Sequence, residues 1–258
     1  MQIEMMQVDQ KTEGKLIHPR ILFTGDWLIE LGFETGSLVS AIYELGILEL
    51  RTHDGDLDTY KRLVVDVRRK KGQVFQVMKS MPSVTRKTEW RKVDLVIDGS
   101  FLKRIGFNVD DILVVHKALN KIKLKKLNPL SLGLSGYASF QIMTVGRVCG
   151  KYDIFPCMTI GSIVLGKCGL LIGHHLKATY TSDSIHLEIC DDIPDLHSGK
   201  RYKTHFTVRG KMQEKIRRAY ITIQGAWIEA LGYQVGDHLL VGMRQGSMII
   251  KRLDLEKL

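Results

Sequence analysis

Two runs of basic residues hold the side chains best suited to chemistry in this sequence. Between Lys61 and Lys92 lie eleven Lys and Arg, among them Arg68, Arg69, Lys70, Lys71, Arg86, Lys87, Arg91 and Lys92, against Asp66 and Glu89. Between Lys200 and Arg218 lie eight, namely Lys200, Arg201, Lys203, Arg209, Lys211, Lys215, Arg217 and Arg218, against Glu214 alone. Clustered cations of this kind neutralise phosphates, and arginine can also fork onto a guanine edge. Trp90 stands in the first run, and Tyr202, Phe206 and Tyr220 in or beside the second, where aromatic rings can stack on unpaired bases. The simpler readings are a solvated charged face for the cations and strand core or rim for the rings. The whole chain carries 38 Lys+Arg against 28 Asp+Glu, a formal net charge of +10. That balance favours acidic partners, nucleic acid first among them.

Catalytic signatures are lacking. There is no P-loop, no GxSxG, no HExxH and no carboxylate pair at telling spacing. Metal-free cleavage of RNA would need an acid and a base, usually His, beside a cationic stabiliser. His205, between Lys203 and Arg209, is the one histidine in such company. Alternation along a strand puts it on one face with Thr207, and a solvent-facing strand residue is the simpler reading. Cys149, Cys157, Cys168 and Cys190 form no CxxC pair. A zinc site joining them to His174 or His175 would match no usual ligand spacing, so neither metal nor cofactor is expected. The opening MQIEMMQVDQ has no basic start and no apolar stretch, and no segment is apolar for long enough to span a bilayer. The expectation is a cytoplasmic protein with free thiols and no membrane contact.

The elements that must position these residues belong to a unit written four times. GDWLIELGFETG (25–36) and GAWIEALGYQVG (225–236) align without a gap, and the match extends from Ile21 with Ile221 to Gly46 with Gly246. A third copy begins near Val93, with Gly99 for Gly25, Phe101 for Trp27 and Gly106 for Gly32. A worn fourth puts Ser162, Val164, Gly169 and Gly173 at the same places. Repeats at fixed spacing govern any reading of architecture. Each copy predicts a strand, a Gly turn, about two turns of helix, a Gly cap and a hairpin. Trp27, Phe101, Val164 and Trp227 share one position and are expected to be buried. A looser lead-in, a strand and a basic loop, precedes each copy. It is rich in cations before copies two and four. It is poor before copies one (Lys11, Lys15, Arg20) and three (Arg147, Lys151).

A unit of roughly 60 residues with one small helix cannot cover its own strands, so copies must bury their apolar faces against each other. NPLSLGLSG (128–136) breaks the chain into 1–127, holding copies one and two, a linker at 128–136, and 137–258, holding copies three and four. Pairing copy one with copy four is the rival, since these are most alike; short loop closure favours neighbours.

ITIQGAWIEALGYQVGDHLLVGMRQGSMIIKRL (221–253), with its lead THFTVRGKMQEKIRRAY, resembles the SymE toxin family. LKRIGFNVDDILVVHKALNKIKLKKL (102–127) is similar to the wider SpoVT/AbrB swapped-hairpin superfamily. The resemblance is strongest in copies one and four. It implies a mainly β fold with short helices: tandem swapped-hairpin barrels built from four internal repeats, two copies interleaving their hairpins in each. It also implies that the lead strands lie side by side and present basic loops to DNA. Partners in the superfamily are DNA or cognate antitoxin proteins, and RNA cleavage has been proposed for the SymE branch. The expectation is a nucleic-acid-binding protein, DNA ahead of RNA, acting through the sixteen basic residues named in the two runs. The alternatives are a SymE-like toxin that cleaves RNA, or a non-catalytic scaffold or antitoxin-type protein partner.

Overall fold

Burial alternates along some of the expected strands, while others, such as His238–Arg244, hold an unbroken buried run. In residues 216–224, Ile221 and Ile223 are buried, while Arg218 and Gln224 are exposed and Tyr220 and Thr222 half-buried. That period of two fixes one face to a core and the other to solvent. The computed structural model describes residues 2–69, 73–76, 78–79, 93–150, 153–191, 205–213 and 216–258. The chain is mainly β with few short helices and divides into two compact units, residues 1–127 and 128–257.

The first unit runs β1 (Gln2–Gln7), β2 (Asp9–Glu13), β3 (Leu16–Thr24), α1 (Trp27–Glu30), β4 (Leu38–Glu44), β5 (Ile47–His53) and α2 (Leu57–Arg69). It continues with β6 (Gln73–Gln76), β7 (Met78–Lys79), β8 (Val93–Asp98), α3 (Ser100–Arg104), β9 (Ile112–Ala118) and β10 (Lys121–Lys126). The second runs β11 (Ser139–Thr144), β12 (Gly146–Cys149), β13 (Ile154–Gly161), α4 (Ser162–Lys167), β14 (His175–Tyr180) and β15 (Ser184–Cys190). It ends with β16 (His205–Thr207), β17 (Arg209–Gln213), β18 (Ile216–Gln224), α5 (Ala226–Ala230), β19 (His238–Arg244) and β20 (Ser247–Arg252). Asn128–Gly136, expected as a linker, contains a short 3-10 helix at Pro129–Leu132. Its first turn is held by the Asn128 side chain, which accepts from the Leu130 N–H at 3.1 Å.

Each unit consists of a six-stranded and a four-stranded antiparallel sheet in matching order. The first has β1-β9-β10-β5-β4-β6 and β2-β3-β8-β7; the second has β11-β19-β20-β15-β14-β16 and β12-β13-β18-β17. No ladder among the described residues closes on itself, so the expected barrels are corrected to pairs of open sheets. The physical reason lies at three buried valines. Val8, Val145 and Val208 each break a lead strand in two, are each 1% exposed, and send the two halves to different sheets. Their N–H groups leave the ladder to donate to Asp111 O (2.8 Å), Asp237 O (2.9 Å) and His174 O (3.0 Å). Strands that switch sheets at such a bend turn a would-be barrel wall into a corner.

The turn from strand into helix needs glycine where φ is positive. Gly25 and Gly225 sit at φ 128° and 125°, and a Cβ on either would come within 3.1 Å of the following Trp ring. At Ser162 the chain enters α4 with no positive φ, consistent with the missing glycine there. The shared position of Trp27, Phe101, Val164 and Trp227 is only partly as expected. Phe101 (4%) and Val164 (6%) are buried, but Trp27 and Trp227 are half-buried. Each indole N–H donates across the turn, to Thr24 O and Gln224 O at 3.1 Å, and this holds one ring edge toward solvent. The next residue goes fully inward instead: Leu28, Leu102, Leu165 and Ile228 are all 0% exposed. The glycine-aromatic step at each helix end supplies the deepest rings, Phe33, Phe107 and Tyr233, with Leu170 in the fourth place.

The helix rings are roofed from the neighbouring hairpin. Lys117 Nζ lies 3.6 Å from the Trp27 centroid and pairs with Glu4 at 2.5 Å, while Tyr43 meets Phe101 and Tyr180 meets Trp227, both at 5.6 Å. Lys117 is 6% exposed, so the ring face and the carboxylate together offset its desolvation.

α2 was not anticipated. Its residues fall in the run from Lys61 to Lys92, which reads as a basic loop. Asp56 caps it, accepting from the Thr59 N–H at 2.8 Å, and neither Gly nor Pro interrupts 57–69.

Two histidines in the six-stranded sheet of the first unit set a pH dependence. Burial, then Arg51, holds His53 below its usual 6.5, and its ring nitrogen lies 2.8 Å from Ser40 Oγ. Burial, then Lys123 and Lys125, does the same to His116. A lowered folded-state pKa stabilises the fold above 6.5, and that contribution is lost as pH falls through the folded value. The melting temperature of the full chain is therefore expected to drop between about pH 7 and about pH 5, where few carboxylates titrate. Replacing His53 or His116 by Gln should flatten that slope, and an unchanged slope in both variants would refute the assignment.

Candidate functional site

The expected basic residues divide sharply. Arg68 and Arg69 belong to α2 rather than to a loop. Lys70, Lys71, Arg86, Lys87, Arg91, Lys92, Lys200, Arg201, Lys203 and Lys215, with Trp90 and Tyr202, lie outside the described residues. Arg209, Lys211, Arg217 and Arg218 lie on the β17–β18 hairpin of the second unit.

Antiparallel register decides what these four can do together. Arg209 faces Tyr220 and Lys211 faces Arg218 across the ladder. Tyr220 faces Gly161 on the next strand, and Thr222 faces Thr159. Because Ile221 and Ile223 point to the core, the row Arg218, Tyr220, Thr222 points outward, with Arg209 and Lys211 beside it. The outer face of the four-stranded sheet is thus an aromatic ring flanked by three cations, two threonines and a glycine. Arg217 takes the opposite face. Its side chain lies across Gly210, where a Cβ would have no room, so the neighbouring arginines are not one site. A cleft of about 760 Å³ borders this face, lined by Lys211, Arg218, Tyr220, Thr159, Thr222 and Ser162 among others.

None of Arg209, Lys211 and Arg218 has an ion pair among the described residues. Like charges facing each other across an antiparallel ladder destabilise it unless something neutralises them. The corresponding face of the first unit is neutralised from within. Lys11, facing His18, bonds to Asp98 and Glu13, both at 2.8 Å, and Arg20 bonds to Asp9. The Asp98 hydrogen bond, then that of Glu13, raises Lys11 to about 12, and Arg20 and Lys11 hold Asp9 and Glu13 below their usual values. Asp9, Arg20 and Asp98 occupy the register positions that Arg209, Tyr220 and Gly161 hold in the second unit.

The other expected chemistry is dispersed. His205 lies on β16 of the six-stranded sheet, opposite Lys177, and not on the cationic face. His174 Nδ1 accepts from the Leu171 N–H at 3.2 Å, and His175 Nδ1 lies 3.2 Å from Thr207 Oγ1, so both brace loop and strand. All four cysteines are free thiols. Cys149 is exposed, whereas burial pushes the Cys168 thiol up to about 11. No group of three or more His, Cys, Asp or Glu gathers as a metal site among the described residues. No helix there is long and apolar enough to cross a membrane.

Gly161, Thr159 and Thr222 were not singled out in the sequence. Thr222 was legible as two residues beyond Tyr220 on one strand. Gly161 and Thr159 come from β13, far away in the chain, and only the register brings them in. No protein-family model, no curated protein and no solved structure matches the chain.

Proposed function

We propose that the chain binds nucleic acid through the outer face of the β12-β13-β18-β17 sheet. We read it as four copies of one swapped-hairpin unit of the SymE/AbrB kind, paired one with two and three with four. The interleaving supports this second part: β1 joins the hairpin β9–β10, while β6 joins the hairpin β4–β5. The observation that carries the binding function is the Lys211–Arg218 pair, two exposed cations opposed across a ladder with no carboxylate among the described residues to separate them. A phosphate between them would remove their repulsion and gain two charge-assisted bonds. Hydrolysis is not part of the proposal, since His205 belongs to another sheet.

A protein partner is the second reading, favoured by the exposed apolar side chains Met212 (64%) and Ile216 (60%) on the same hairpin. The test is fluorescence anisotropy of labelled mixed-sequence duplex DNA, single-stranded DNA and RNA across a salt series. On duplex DNA, log affinity is expected to fall against log salt with a slope of about −0.9 per phosphate neutralised. Absence of binding to every probe at low salt would overturn the proposal in favour of the protein partner.

A further inference from the structure

The outer face offers more than charge. A duplex presents phosphates at its surface and keeps both faces of each base covered, so a ring on the protein has nothing to stack against. Unpaired bases have free faces, and a sheet that displays an aromatic between cations can hold them. Tyr220 is half-buried on the solvent-facing side of β18, and its register neighbours are Arg209 on one strand and Gly161 on the other. A Cβ at Gly161 would meet nothing within 4 Å, so the space beside the ring is open. Beyond it, Thr159 and Thr222 face each other and supply hydroxyls that can donate and accept. The adjoining cleft, about 760 Å³, is of a size that holds small-molecule ligands.

The first unit provides the contrast. It has Arg20 at the place of Tyr220, Asp98 at the place of Gly161 and Leu22 at the place of Thr222, so neither ring, gap nor hydroxyl is present there.

We infer that this face takes an unpaired nucleotide of a single strand, its base stacked on Tyr220 over the gap left by Gly161, its phosphates on Lys211 and Arg218. The inference rests on the nucleic-acid reading above and narrows it to single strands. The Thr159 and Thr222 hydroxyls lie within the same row and meet the polar edge of the base or the sugar.

The experiment uses the full chain, a labelled mixed-sequence single-stranded oligonucleotide and the same sequence annealed to its complement. Wild type is expected to bind the single strand more tightly than the duplex. Tyr220→Ala should lose about tenfold to a hundredfold in single-strand affinity, as loss of one stacking platform does, with duplex affinity unchanged. Tyr220→Phe keeps the ring and should bind as wild type does. Gly161→Val fills the gap and should lose single-strand affinity without unfolding, because Gly161 sits at φ −93° with open space around it. This variant keeps the inference testable if Tyr220→Ala does not fold. Equal affinity for both probes, unmoved by Tyr220→Ala and Gly161→Val, would overturn the inference and leave a phosphate-binding face. Binding to neither probe at low salt would overturn the nucleic-acid reading itself.

Discussion

Lys211→Glu is expected to weaken nucleic-acid binding while raising the melting temperature, two effects that rarely travel together. Lys211 faces Arg218 directly, and neither has an ion-pair partner among the described residues. Exchanging one cation for a carboxylate turns a repulsive cross-strand pair into an attractive one, worth about 0.2–1 kcal/mol to the hairpin. On the proposed binding mode the same change removes one phosphate contact and repels the next. Hydrogen bonds to charged groups are worth about 1.5–3 kcal/mol, so affinity should fall roughly tenfold to a hundredfold or more. Reversing Arg218 as well should deepen the loss and flatten the salt slope by about 1.8, two contacts at about 0.9 each. Arg217→Glu, on the opposite face, is the comparison and should cost clearly less. The readouts are anisotropy across salt and a thermal melt. A Lys211→Glu variant that binds as wild type does, yet melts earlier, would make these cations structural and move the interface elsewhere.

Tyr233→Ala should be among the most damaging single substitutions in the second unit, at about 3–5 kcal/mol. Its ring is 0% exposed, follows the left-handed Gly232 at φ 86°, and its hydroxyl donates to Ile250 O at 3.4 Å. Burial raises that hydroxyl's pKa above the usual tyrosine value. Tyr233→Phe keeps the ring and loses the one bond, at a cost of about 0.5–1.5 kcal/mol. Trp227→Ala, although the tryptophan is the larger residue, should cost less than Tyr233→Ala, because its indole is half-buried and its N–H caps a turn. Urea denaturation of the full chain orders the three. A Trp227→Ala cost equal to or above that of Tyr233→Ala would show that the tryptophan, not the tyrosine, anchors the hairpin.

The local order around each short helix was readable because glycines mark its turns and the strand before it alternates. Gly225, Gly232 and Gly246 sit at φ 125°, 86° and 76°, conformations few other residues adopt, whereas the hairpin strands β19 and β20 are buried in unbroken runs and do not alternate as expected. The burial of Trp27 and Trp227 was misread because a helix of four or five residues has no periodicity to say which of two adjacent apolar residues turns inward. α2 was misread although Asp56 and an unbroken helical stretch were visible; its charge reads equally well as a solvated loop. The barrel was misread because a single buried valine in three of the lead strands, Val8, Val145 and Val208, redirects the chain, and valine suits a continuous strand just as well.

The site itself was half legible. Composition showed that cations gather near Arg218. Their facing pairs depend on register, as does the neutralisation of Lys11 by Asp98, a residue 87 positions away in the chain. Arg217 and Arg218 look equivalent in the sequence, yet strand alternation sends them to opposite faces.

The interleaved sheet order also fixes when each half can fold during synthesis. Among the described residues β1 pairs only with β9, so Gln2 waits for Lys117 to leave the ribosome before its strand has that neighbour. β11 waits in the same way for β19, and β15 gains β20 only with the last strand of the unit. Contacts this distant slow folding, because chain entropy is lost before pairing repays it. A nascent chain therefore emerges with strands such as β11 lacking that partner while most of their own unit is still being translated, a period in which strand edges invite aggregation. A stop codon ahead of His238 would remove β19 and β20 together, leaving β11 with no neighbour and β15 with one among the described strands. The loss of a short tail would thus reach the first strand of the unit.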